Sequence, residues 1–129
     1  MKNRKLTLLI GALIALGLVA AACNKAGSSP TATAKAFYEA AKSKDVSGMK
    51  SLMSKSLIDT LDKAAKAEHK SVEDVLKASN EAAPPPVTFE TRNEKIDGDK
   101  ATIEVNQDGK GRWQTVNFIK EDGSWKLDH

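Results

Sequence analysis

Few side chains in this sequence are of a type and spacing that can do chemistry. There is one cysteine, Cys23, and two histidines, His69 and His129. A nucleophile needs a base held beside it. His69 sits in a charged run with Lys66, Glu68 and Lys70, and His129 is the last residue, so neither has an ordered partner in sequence. Two isolated histidines and a lone cysteine also lack the spacing of a metal site. Acid–base catalysis would need a carboxylate sheltered inside the fold. Asp97, Asp99, Asp108 and Asp122 instead fall in turns, where aspartate is explained by turn geometry. Gly98, Gly109, Gly111 and Gly123 are turn glycines and not a phosphate loop. No catalytic residue, metal or cofactor is therefore expected. Tyr38 shares a helix face with Lys35 and Lys42 and reads as a surface residue. Of the two tryptophans, Trp125 reads as core. Trp113 falls with Ile119 on the polar side of its strand, which calls either for a one-residue bulge or for a contact surface.

The elements that carry these residues begin with a leader. Lys2, Arg4 and Lys5 precede a run from Leu6 to Ala22 in which Thr7 is the only polar side chain. A positive start, an apolar middle and small residues at the end make a signal peptide. The run is 17 residues long, at the lower limit of the roughly 17–25 that span hydrocarbon. Length alone thus leaves an uncleaved anchor as the alternative. Ala20-Ala21-Ala22-Cys23 resembles the lipobox of bacterial lipoproteins, in which Leu usually stands where this chain has Ala20. The resemblance implies cleavage between Ala22 and Cys23 and diacylglycerol on the Cys23 thiol, and it leaves the new amino group either free or further acylated, as by palmitate. Two or more acyl chains anchor a protein stably, whereas one does so only marginally. It also implies an extracytoplasmic protein tethered to the membrane at the cell envelope, facing the periplasm if there is one. Asn24 after the cysteine, in place of Asp, favours the outer membrane of a Gram-negative cell. The lone cysteine agrees, because an exported chain with one cysteine forms no internal disulfide.

Removing residues 1–22 leaves 107 of the 129 residues, enough for one domain. It also changes the charge. Three of the 20 basic residues lie in the leader and all 17 acidic residues lie after it, so the mature chain carries 17 of each sign and a net charge of zero. The precursor's basic pI is then no argument for a nucleic-acid partner.

Residues 23–29 read as the lipidated cysteine and a polar tether, flexible by composition. Ser29-Pro30 opens a helix reaching about Lys44, with Thr33, Ala36, Phe37, Ala40 and Ala41 on one face. Asp45 caps a short second helix, Ser54 or Ser56 starts a third, and Ser71 to Asp74 form a capping box for a fourth that fades by Ala83. Pro84-Pro85-Pro86 divides the domain of residues 30–129 into a helical part, 30–83, and a strand part, 87–128; the prolines serve as a stiff connector or as a motif for a proline-binding partner. Four strands follow. Val87 to Ile96 alternates with Val87, Phe89 and Thr91 on one side and Thr88, Glu90, Arg92 and Glu94 on the other. Ala101 to Gln107, Arg112 to Lys120 and Ser124 to Asp128 come next, separated by turns at Asp97-Gly98, Asp108-Gly111 and Glu121-Gly123. Alternation of this kind makes one wet and one dry face, and the helices are the available cover for the dry one. The expected class is α+β, with N-terminal helices on one face of a curved four-stranded antiparallel meander.

Ala36-Phe37-Tyr38 with Lys44-Asp45 early in the chain, and Gly123-Ser124-Trp125-Lys126-Leu127 at its end, resemble small bacterial lipoproteins with an uncharacterised domain of the nuclear-transport-factor-two-like, cystatin-like group. The resemblance covers Pro30 to Asp128. It implies a cone-like sheet wrapped on a helix, which in relatives holds a small molecule, catalyses an isomerisation or hydration, or serves as a dimer surface. No carboxylate falls among the inward strand positions, which favours a non-enzymatic protein over an isomerase- or hydratase-like one. The expectation is therefore a binding protein. Its ligand is either a small apolar molecule in a pocket lined by Phe37, Phe89, Ile103 and Phe118, or a protein, a second copy included, at Trp113 and Ile119.

Overall fold

The computed structural model describes residues 25–129; Ala22 and Cys23, the cleavage and lipid-attachment positions, lie outside them. Each helix starts on a side chain that takes an N–H which the first turn leaves unpaired. The Ser29 hydroxyl accepts from Ala32 N–H at 3.0 Å and opens α1 (Pro30–Lys42), with proline at the first helical position. Asp45 accepts from Gly48 N–H at 2.9 Å ahead of α2 (Val46–Ser51). Ser54, not Ser56, caps α3 (Lys55–Ala67) through Leu57 N–H. Ser71 and Asp74 exchange hydrogen bonds in both directions at the start of α4 (Val72–Ala82). Ala83 is already extended (ψ 137°), as the residue before a proline is driven to be.

Four antiparallel strands then pair in sequence order: β1 (Glu90–Asp97), β2 (Lys100–Asn106), β3 (Gln114–Glu121) and β4 (Ser124–Asp128). The class is α+β, as the residue pattern implies. The inward residues Ala101, Ile103, Val105, Phe118 and Trp125 are buried together with Ala34 of α1. A second cluster, Met53, Val72 and Leu76, joins the helices to one another, with Phe37, Leu57, Ile58 and Leu61 packed around it. α1 therefore serves both layers. Ala34 lets it approach the sheet closely, while Phe37 faces the other helices. Thr33, fully buried, sets its hydroxyl 3.0 Å from both the Ser29 and the Trp125 carbonyl oxygens and ties α1 to β4.

Three expectations need correction. The first strand begins at Glu90, and Val87 is 79 % exposed and not inward. Val87 and Thr88 both direct their N–H groups at the Gln107 carbonyl, so the chain leaving the prolines touches the sheet without entering its ladder. Second, β1 is bulged. Arg92 faces Glu104 and Lys95 faces Thr102, which sets Asn93 and Glu94 against a single residue, Ile103. Asn93 takes φ 54°, a left-handed conformation that asparagine tolerates better than most residues. The extra residue reverses the parity beyond it. Glu94, expected on the wet side, turns to the helices and accepts from the Thr31 N–H (3.1 Å) and the Thr31 hydroxyl. Third, the stretch before α1 is not a free tether where it is described. Gly27 is buried at φ 85°, and its carbonyl accepts from Trp125 N–H at 2.8 Å. A Cβ there would lie 3.1 Å from Ser124 Cβ, so the close approach to β4 requires glycine.

Candidate functional site

β3 pairs with β2 without a break from Gln114 to Ile119. Trp113 and Ile119 therefore owe nothing to a bulge in their own strand; both keep the parity that points away from the helices. On that face Thr115 and Asn117 are exposed, and Trp113 and Ile119 are half-buried. Arg92 lies over Trp113, with its guanidinium carbon 4.0 Å from the ring centroid. Glu104 holds Arg92 there, accepting from its Nε at 3.1 Å, and accepts also from the Asn93 amide. These bonds, from Asn93 first and Arg92 second, hold the Glu104 carboxyl below the usual carboxylate range. An aromatic plate under an oriented cation, bordered by exposed polar residues, offers both apolar area and directed polar groups to a contact.

The four residues expected around one pocket are not gathered around one. Ile103 and Phe118 are 1 % and 2 % exposed, inside the packed core. Phe89 packs against that core from its edge and stacks on Tyr38, with centroids 4.8 Å apart. Phe37 belongs to the interhelical cluster. Phe37 and Phe118 border different surface hollows, of about 600 and 350 Å³. Trp125 is buried in the core, as its position in the last strand implies.

The buried polar side chains are satisfied within the chain. Ser54 donates to the Asp128 carboxylate at 2.7 Å, and Asn106 donates to Glu90 at 3.0 Å. Among the described residues no group of three or more metal-ligating side chains comes together, and no helix is long and apolar enough to cross a membrane. His69 lies just past the end of α3 at φ 57°, and the His129 ring nitrogen lies 3.2 Å from the Asp128 carboxylate.

Residue pattern alone overlooks three members of these surfaces. Tyr38 is half-buried on Phe89 and not a free helix-surface residue. Arg92 and Glu104 complete the Trp113 surface. An unbulged hairpin around Gly98 would set Arg92 opposite Val105, and only the bulge brings the opposite charges into register. No family model matches the sequence, and neither does any curated protein or solved structure.

Proposed function

We propose that this chain is a bacterial envelope lipoprotein, cleaved between Ala22 and Cys23 and anchored by lipid on Cys23. Its domain, of the nuclear-transport-factor-two-like kind, acts as a non-enzymatic binding module. The observation that carries the binding reading is the helix-free sheet face, where Trp113 lies under Arg92 and Ile119 shares the same side. Its partner is a protein of the envelope, reached with the domain close to the bilayer. Gly27 is fixed to β4, and four residue steps separate it from Cys23. Fully extended, those steps reach about 14 Å.

An isomerase- or hydratase-like activity would need a sheltered carboxylate with a raised pKa. The carboxylates that shift here, Glu68, Glu73, Asp74, Glu104 and Asp108, all move down, each held by hydrogen bonds from neighbouring donors.

Two experiments test the two halves. Metabolic acyl labelling should mark the wild-type chain and be lost in Cys23→Ala; label that persists removes the anchor. A photo-crosslinking residue at position 119 in intact cells should capture one protein, this chain included. Capture should fail in Trp113→Ala while the chain remains folded. Equal capture by both forms rejects the sheet face as the contact.

A further inference from the structure

We propose that the groove between α1, α4 and the proline segment binds a small amphiphile, an apolar body carrying one anionic group. The groove has a volume of about 600 Å³, within the range of roughly 300–1,000 Å³ typical of small-molecule sites. Phe37, Met49 and Leu76 give it an apolar floor, and Pro84 to Pro86 form one wall. Proline fixes its own φ, so that wall is preformed and little ordering accompanies binding. The opposite wall is tied together where the Asn80 amide donates to the Ala41 carbonyl at 2.9 Å, joining α4 to α1.

The polar groups along the lining define the ligand's other end. The Tyr38 ring is held by its stack on Phe89, while its hydroxyl has no hydrogen-bond partner among the described residues. Lys42 stands 6.0 Å over the same ring. Lys44 borders the groove too, and neither lysine has an ion-pair partner among the described residues. Lys42 is also placed to favour the carbonyl end of α1. That does not account for Lys44, which lies past the helix at φ 58°, in the post-helix position where glycine is the usual residue. Its chain chemistry is thus a cation where the backbone would prefer no side chain. Glu81 is the single acidic residue among those lining the groove, which leaves the lining net basic. Two lysines and a free phenol hydroxyl beside an apolar floor fit a carboxylate or similar anion attached to a ring or short chain.

This site is separate from the sheet face and rests on neither the lipid nor the partner. The test uses the full chain in zwitterionic lipid nanodiscs, with empty discs subtracted, titrated with 1-naphthoate and with the neutral 1-naphthylmethanol. Saturable one-to-one binding of naphthoate is expected, about tenfold tighter than the alcohol. Ser79→Trp, an exposed change that fills the groove, should abolish binding of both. The double change Lys42→Glu and Lys44→Glu should weaken naphthoate by at least about tenfold and leave the alcohol unaffected. Naphthoate binding no tighter than the alcohol overturns the proposal, as does binding that survives Ser79→Trp or no saturable binding at millimolar probe. Circular dichroism on both variants establishes that they are folded.

Discussion

Along β4 the outward N–H groups of Trp125 and Leu127 are taken by the carbonyls of Gly27 and Leu52, and Ser54 N–H returns a bond to the Leu127 carbonyl. Two segments, one just before α1 and one between α2 and α3, thus close that edge of the sheet. Along β1, at the opposite edge, no described residue offers a backbone bond to the outer side. The strand is protected differently, by a bulge at Asn93 and by Glu90, Arg92, Glu94, Lys95 and Asp97. Bulges and charges are what keep a free edge from pairing with other chains. One edge is therefore finished by contacts made once in folding, and the other by side chains that remain accessible. Gly27, four residues from the proposed anchor in sequence, sits at the closed edge, and the Arg92–Trp113–Glu104 surface lies toward the open one.

The closed edge should give the largest effect. Trp125 is 5 % exposed, packs in the sheet core and carries the N–H that binds Gly27. Trp125→Ala should cost about 3–5 kcal/mol, as large-to-small core changes do, read by chemical denaturation. A loss under about 1 kcal/mol would remove Trp125 from the core and with it the contrast between the edges. Gly27→Ala comes next. It forces a Cβ onto a positive φ and against Ser124, for about 1–2 kcal/mol. Hydrogen exchange at the Trp125 amide should rise with it. An unchanged melting curve and unchanged exchange would mean that the residues before α1 swing free of β4.

What was readable from sequence divides along the same line. The caps at Ser29, Asp45, Ser54 and Ser71 are legible because each bond is made within three residues of the capping side chain. The β2, β3 and β4 alternation is legible because Ile103, Phe118 and Trp125 report which side is dry. In β1, Arg92 to Lys95 are all polar and exposed, so the period has no apolar residue to count and the bulge passes unseen. Gly27 sits in Ala26-Gly27-Ser28-Ser29, a linker by composition; its partner is at the far end of the chain. The candidate surfaces suffer from the same blindness. Periodicity tells which way Phe37 and Phe89 face along their own elements. It does not tell that α1 divides its packing between two clusters, and so parts Phe37 from Ile103 and Phe118.

The open edge should respond less. Glu94 reaches the first turn of α1 only because the bulge turns it inward, and there it accepts from Thr31 N–H. Glu94→Ala leaves that donor to water and should cost about 0.5–1 kcal/mol, like the loss of a modest helix cap. Glu94→Gln, which keeps an acceptor oxygen, should recover most of the loss. If Glu94→Ala is as costly as Gly27→Ala, the two edges do not differ in the way their bonding implies.

The smallest effect on stability is expected where the proposed contact lies. Trp113→Ala removes a half-exposed ring and its stack with Arg92, for about 0.5 kcal/mol. Its environment should nevertheless report acid clearly, because Glu104 positions Arg92. Hydrogen bonds from Asn93 and Arg92 depress the Glu104 pKa, so the folded state favours the charged carboxylate. The stabilisation is complete above the ordinary carboxylate value. It is lost as pH falls through the depressed one, when protonation frees Arg92 from its acceptor. The Trp113 indole N–H resonance should therefore shift with a midpoint below that of an ordinary glutamate. The shift should vanish in Glu104→Gln, with the buried Trp125 resonance unmoved over the same range. A shift that persists in Glu104→Gln, or that appears equally at Trp125, would mean that acid loosens the whole sheet and that the open face has no independent electrostatic support.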